Sequence, residues 1–164
     1  MPKKRKYLMS NQNRLPVNLE PGIAAYLASH FAGEETRFYY PVKIGSTRAE
    51  ADRGAQLVLS GVKTATSSAA WHYADGDIPF VGALSALIDG DGRPLAILET
   101  KRIAVTAFGD IGKAFAFDYG EGDRSLDWFR SHIGAWYRLD SASHGAEFDD
   151  KTELICEWFE VHRP

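Results

Sequence analysis

Residues 81–105 read VGALSALIDGDGRPLAILETKRIAV. Two apolar runs, 81–88 and 94–105, flank Asp89-Gly90-Asp91-Gly92, a run of residues suited to reversing the chain between paired strands, so the stretch predicts an antiparallel hairpin. The same run lacks the twelve-residue ligand spacing and terminal glutamate of a calcium loop, which leaves it as a turn. Downstream, residues 153–162 (ELICEWFEVH) predict a closing strand. Upstream, Ile23, Ala24, Leu27, Ala28 and Phe31 fall at helical spacing over residues 19–31, with Pro21 suited to a first turn. A second helix is bounded by a Thr47/Glu50 capping box and by Gly61, and Ala51, Ala55, Val58 and Leu59 form its apolar stripe. Residues 110–117 suggest a short helix. Asp123 or Ser125 can cap another that carries Leu126, Phe129, Ile133, Trp136 and Tyr137. Strands interrupted by helices without regular βαβ alternation define an α+β domain built on a mostly antiparallel sheet or small β-barrel.

The chain has 164 residues, 45% of them hydrophobic and 25% charged, which suits one compact domain. That domain is expected over residues 17–164, after a disordered leader at 1–16 rich in basic and polar residues. The leader's Pro-Lys-Lys-Arg-Lys run resembles a nuclear import signal, although four basic residues at a terminus carry little specificity. Setting aside Lys3, Lys4, Arg5 and Lys6 leaves 15 of the 19 basic residues against 22 acidic ones, a body charge of −7. An acidic body disfavours a broad footprint for long nucleic acid, which relies on many phosphate contacts. A single cysteine excludes an internal disulfide framework. No apolar run reaches membrane-spanning length and no secretory signal is evident, so the expected location is cytoplasmic, or nuclear if the basic run is a genuine signal.

Cys156 sits in an alternating strand pattern without a basic neighbour and reads as a buried structural thiol. Five scattered histidines with no i, i+4 pair among them argue against a structural zinc site. Phosphate-cradling glycine motifs and the hydrolase nucleophile elbow are absent, and no feature demands a metal or an organic cofactor. What remains is Lys63 with Thr66, and the cluster Glu121-Gly122-Asp123-Arg124-Ser125-Leu126. A lysine in a turn after a helix can be drawn into a cleft, where desolvation lowers its pKa and lets it act as a base toward a hydroxyl three residues on. Alone it reads more often as a solvated turn residue. Glu121 and Asp123 read first as helix N-terminal acids. Glu99, on a strand beside Thr100, could pair with Lys63 or Arg102, and such pairing would hold the lysine charged.

Gly61-x-Lys63-x-x-Thr66, preceded by a helix and followed by Trp71, resembles the signature of the ASCH family, the activating signal cointegrator homology domains. The likeness extends over residues 18–163. It includes residues 51–67, Pro79-Phe80-Val81-Gly82, Asp89-Gly90-Asp91-Gly92-Arg93-Pro94, Glu99-Thr100, Phe108, and the Glu121 cluster with Trp128 and His132. It implies a PUA-like β-barrel with flanking helices and a cleft that accepts a nucleoside, nucleotide or RNA segment. One branch of that family hydrolyses N4-acetylcytidine with a lysine, a threonine and a glutamate, which fall here on Lys63, Thr66 and Glu121. Other members are reported as ribonucleases or are thought to bind RNA. Phe117-Asp118-Tyr119-Gly120 departs from the family's small acidic residues before the glutamate, and Trp136-Tyr137 replaces its usual pair of phenylalanines.

The expectation is therefore an amidohydrolase acting on N4-acylated cytosine nucleosides. Thr66 Oγ1 attacks the acyl carbon, neutral Lys63 takes the hydroxyl proton, and Glu121 serves the leaving amine or orients water. Oxyanion donors are sought in a backbone N–H near Thr66 or in the Arg124 and Ser125 groups. Trp71, Tyr73 and Tyr119 are candidates to stack on the base. Glu99, Arg124 and Ser125 complete the expected substrate-binding set. The rival expectations are a ribonuclease acting on single-stranded RNA and a non-catalytic RNA-binding module. The expected partner is a small nucleoside or modified cytosine, with RNA as the alternative.

Overall fold

A computed structural model of the chain describes residues 16–73 and 77–162. The basic leader lies outside the described residues. In chain order the main elements are α1 (Pro21–Phe31), α2 (Arg48–Leu59), β1 (Ala65–Ala69), β2 (Leu84–Ile88), β3 (Pro94–Ala107), α3 (Lys113–Tyr119), α4 (Leu126–Trp128), α5 (Gly134–Ser143) and β4 (Glu153–His162). A π-helical segment, Phe129–Ile133, joins α4 to α5. No described helix is long and apolar enough to cross a membrane.

The strands form one antiparallel sheet in the order β1-β4-β3-β2. The long β3–β4 ladder runs from Ile97 opposite His162 to Ala107 opposite Glu153, and its register shifts between Thr100 and Arg102. An extra residue on one strand sharpens local twist. Single parallel bridges from Phe38 to Leu84 and from Val42 to Leu87 lay residues 38–42 beside β2. The result is the expected α+β PUA-like fold, as a curled half-barrel with helices packed around it.

Three apolar clusters hold the helices to the sheet. Ile23 and Leu27 of α1 pack on Phe38, Leu84 and Ile97. Ala55 and Val58 of α2 pack on Leu87, Leu98 and Phe159. Phe115, Tyr119, Phe129 and Tyr137 cover Ala65, Leu154 and Cys156. Cys156 is buried there, and desolvation pushes its thiol up to about 12, as suits a structural thiol.

Local signals place several boundaries directly. Thr47 Oγ1 accepts from the Glu50 N–H while the Glu50 carboxylate accepts from the Thr47 N–H, a complete capping box at the start of α2. Asp89 Oδ1 accepts from the N–H groups of Asp91 and Arg93 and closes the β2–β3 turn. Ser125 accepts the Trp128 N–H and caps α4. Two segments differ from the sequence reading. The short helix begins at Lys113, because the chain makes a separate 3₁₀ turn at Phe108–Asp110 and runs extended at Ile111 before Gly112. Residues 65–69, to which the sequence pattern assigns no element, form edge strand β1 through pairing with β4.

The end of α3 lies flat on the chain entering β1. Thr64 N–H donates to the Asp118 carbonyl at 2.8 Å, and Gly120 follows with φ +73°. A Cβ on Gly120 would stand 2.3 Å from the Val62 carbonyl oxygen and 2.5 Å from Lys63 Cα. Gly145, with φ +64°, has nothing within 4 Å of the same position. Gly120→Ala should therefore lower unfolding free energy by roughly 2–4 kcal/mol, combining left-handed strain with a backbone clash, and Gly145→Ala by only about 1–2 kcal/mol. Urea denaturation of the two variants measures the difference, and equal losses would exclude the close-approach argument.

Candidate active site

Lys63 is carried inward by the way α2 ends. Gly61 adopts φ +77°, and the N–H groups of Val62 and Lys63 both donate to the Leu57 carbonyl, at 3.1 and 3.0 Å. The chain turns back under its own helix, and the Lys63 side chain is buried, the residue being 1% exposed. Its Nζ donates to Glu121 Oε1 and to the Tyr119 carbonyl, each at 2.9 Å, and lies 3.4 Å from the centre of the Tyr119 ring. Two oxygens and an aromatic face thus surround an ammonium with no access to water. Desolvation lowers its pKa from 10.5 to about 8, against the opposing pull of Glu121.

Glu121 is set by a glycine on each side. Gly120 presses on the Val62–Lys63 backbone, and Gly122, with φ +59°, lies so close to the Trp128 indole that a Cβ would stand 2.1 Å from it. The carboxylate spans from Lys63 to a cavity of about 1010 Å³ whose walls include Glu121 itself, Tyr119, Thr66 and Glu157. That volume is at the upper end for small-molecule sites. Opposite stand Tyr39 to Gly45 beside β2, and Trp136 and Tyr137 of α5 line another side. Thr66 lies on β1, half-buried in the wall, and its hydroxyl has no protein partner among the described residues. Ser67 is bonded to the Tyr137 hydroxyl at 2.8 Å.

The structure brings Thr66, Tyr119 and Glu121 to one cavity, with Lys63 directly behind Glu121. Tyr73 also lines the cavity, as does His72. Trp71 does not: its Nε1 donates to Asp140 at 2.7 Å and its ring packs edge-on to Tyr137. Arg124 stands outside the lining, with its guanidinium 3.5 Å above the Phe117 ring and Nε donating to the Phe117 carbonyl. Ser125 spends its hydroxyl on the cap of α4. Glu99 meets neither Lys63 nor Arg102; it pairs with Arg37 at 3.3 Å, Lys101 at 3.0 Å and His162 at 2.8 Å. Burial alone would raise its carboxyl pKa, and the bonds to Lys101 and His162 outweigh this and hold it low. Arg102 instead covers the Trp158 ring. The carboxylate partner of Lys63 is thus Glu121.

Glu157 is a wall residue that sequence reasoning missed. In ELICEWFEVH it shares a strand face with Ile155, Phe159 and Val161, and the pairing of β4 with β1 sets it opposite Thr66 in the cavity wall. Among the described residues, one group could hold a metal ion: His72, Asp140 and His144, whose ligand atoms lie within 4.8 Å of one another. Its members are already joined by hydrogen bonds, with Asp140 Oδ2 accepting from Trp71 Nε1 and lying 2.5 Å from His72 Nε2.

The ASCH domain model matches residues 41–163. The chain belongs to the ASCH domain family. A crystal structure of an ASCH domain from Lactobacillus crispatus JV V101 is similar to it, with a TM-score of 0.72 and 28% identity over 84% of this chain and 89% of that one. A crystal structure of a protein from Enterococcus faecalis V583 shares the fold, with a TM-score of 0.72 and 24% identity over 87% of this chain and 93% of that one. No curated protein matches the chain.

The buried lysine makes a prediction for stability. Between its folded pKa of about 8 and the ordinary 10.5, the unfolded chain binds the proton that the folded chain has released, so this group makes stability rise with pH across that window. Replacing it by Lys63→Met should flatten the rise. Urea midpoints at pH 7.5 and 9.5 for both proteins give the test: parallel changes would mean that Lys63 titrates as it does in water.

Proposed function

We propose that this ASCH domain hydrolyses the exocyclic amide of N4-acylated cytosine nucleosides, with N4-acetylcytidine as the reference substrate. The observation supporting this is the buried Lys63–Glu121 pair opening through Glu121 onto a cavity with room for a nucleoside, in whose wall Thr66 presents an unengaged hydroxyl.

In this reading, Thr66 Oγ1 forms a bond to the acyl carbon while its proton passes to the Lys63–Glu121 pair. The tetrahedral adduct collapses with cleavage of the C–N4 bond, and the pair returns the proton to N4, releasing the cytosine amine. Water then attacks the Thr66 ester, the pair again handling the proton, and the carboxylic acid leaves. No group outside the chain, the substrate and water is required. The lysine must be neutral to accept the first proton, and desolvation brings that state within reach near pH 8. Glu121 has the opposite effect on the lysine and provides the path from Nζ to the cavity.

An RNA-cleaving or RNA-binding role, which the family allows, finds less support in this chain. The body charge is −7 once the four leader residues are set aside from the 19 basic and 22 acidic ones, and cooperative phosphate contact needs the reverse. Arg124, the cation expected to stabilise phosphate charge, is held over Phe117 outside the cavity.

Lys63→Met and Thr66→Ala, each checked for native fold by circular dichroism, should lower kcat/KM for N4-acetylcytidine by on the order of 10²–10⁴. Wild-type rates in both would end the proposal. The rate of the unaltered enzyme should rise with pH through about 8, and Glu121→Gln, which removes the charge that raises the lysine's pKa, should move that limb to lower pH as well as slow the reaction. A limb that stays in place would show that the titrating group is not Lys63.

A further inference from the structure

The cavity holds a second carboxyl group that the hydrolytic scheme leaves unused. Glu157 on β4 stands directly opposite Thr66 on β1, and residues so paired project on the same face of a sheet. Thr100 of β3, 2% exposed, donates from Oγ1 to Glu157 Oε1 at 2.5 Å and fixes the carboxyl from behind. Tyr73 stands near enough for the Glu157 charge to raise the pKa of its phenol, which burial has already pushed up. Glu121 and Glu99 each have cations, Lys63 for the first and Arg37 and Lys101 for the second. Glu157 makes no ion pair among the described residues, and burial raises its carboxyl pKa despite the bond from Thr100. A half-buried carboxyl that has no cation and is held by a neutral hydroxyl is shifted toward its neutral form, which offers one O–H donor while keeping acceptor capacity. With Oε1 already accepting from Thr100, the hydrogen belongs on Oε2, and Oε1 retains a second lone pair.

We propose that Glu157, positioned by Thr100, is the base-reading group of the cavity, pairing with the adjacent N3 acceptor and N4–H donor of a cytosine. Oε2–H donates to N3 and N4–H donates to Oε1. The acyl group on N4 then extends toward Thr66, the cross-strand neighbour whose hydroxyl attacks it. The inference rests on the nucleoside reading of the cavity and goes one level deeper, to the atoms that select the base.

Titration calorimetry with cytosine and cytidine, neither of which has an acyl group to cleave, tests base reading apart from catalysis. Glu157→Ala should weaken both compounds on the order of ten- to a hundredfold, the range of a lost bidentate base contact. Glu157→Gln keeps a donor beside an acceptor and should stay within a few-fold of the unaltered protein. Equal affinity in Glu157→Ala would overturn the proposal, as would a loss confined to cytidine, which would put the carboxyl on the sugar. A Glu157→Gln as weak as Glu157→Ala would also overturn it, by showing that charge matters rather than the edge. If Glu157→Ala fails to fold, N3-methylcytidine takes its place: the unaltered protein should bind it at least tenfold more weakly than cytidine, and equal binding overturns the proposal. Absence of cytidine binding to the unaltered protein overturns it too. Cytidine binding as expected, with no hydrolysis of N4-acetylcytidine, supports the base-reading group and removes the hydrolase reading alone.

Discussion

An ammonium group taken wholly out of water is stabilised only when its hydrogens are met and its charge is answered. Lys63 meets that condition with one carboxylate, one carbonyl and one aromatic ring, all from residues 119–121. This requirement ties together parts of the chain that are distant in sequence. The left-handed Gly61 turns the lysine inward, Gly120 allows the end of α3 to lie on the lysine's own backbone, and the Asp118 carbonyl receives the N–H of Thr64 as β1 begins. The strand that carries Thr66 therefore starts from a point fixed by the same contacts that bury Lys63. Site and fold share one set of constraints at this corner, which is why a change at Gly120 bears on both.

How much of this was legible in the chain depended on the range of the interactions. The capping box at Thr47 and Glu50, the Asp89 turn and the Ser125 cap are local, each written within five residues, and each appears where the pattern placed it. Strand β1 was not legible, because Ala-Thr-Ser-Ser-Ala has little hydrophobic alternation and becomes a strand only by pairing with β4. The π-helical turn at Phe129–Ile133 left no mark in a pattern that reads equally well as continuous helix. At the site, the family likeness brought Lys63, Thr66 and Glu121 together, although spacing alone treated the lysine as a solvated turn residue. Trp71 and Arg124 were misplaced for a common reason. Each is a large side chain near the motif whose partner lies elsewhere in the sequence, Asp140 for the indole and the Phe117 ring for the guanidinium. Glu157 was hidden because nothing within its own strand tells that it stands opposite Thr66, a cross-strand pairing with a segment ninety residues earlier.

Glu121 and Glu157 illustrate how environment divides one chemistry into two. Glu121 is tied to the Lys63 ammonium and partly exposed; Glu157 is half-buried, held by a neutral hydroxyl, and without a cation among the described residues. In the proposed reading the first moves a proton and the second keeps one, a division imposed by environment on identical side chains. Their positions follow from topology. One rides on the glycine-flanked turn after α3, and the other on the central strand β4, so the cavity lies between a turn and the sheet rather than within either.

That arrangement also bears on the kind of molecule the cavity suits. A phosphate placed among Glu121, Glu157, Glu50 and Asp77, all wall residues, would meet carboxyl groups from several sides, against which Lys43 and Arg53 supply the wall's lysine and arginine charge. The Lys63 ammonium is committed to Glu121 and has no exposed surface from which to bind an anion. A neutral, hydrogen-bonding ligand avoids this opposition. In the proposed reading such a ligand meets Glu157 as a donor–acceptor edge, the Tyr119 and Tyr73 rings as walls, and the Lys63–Glu121 pair as a proton relay toward Thr66. The charges of the wall thus disfavour a polyanion at this site, independently of the charge on the rest of the protein, which is consistent with the nucleoside proposed above.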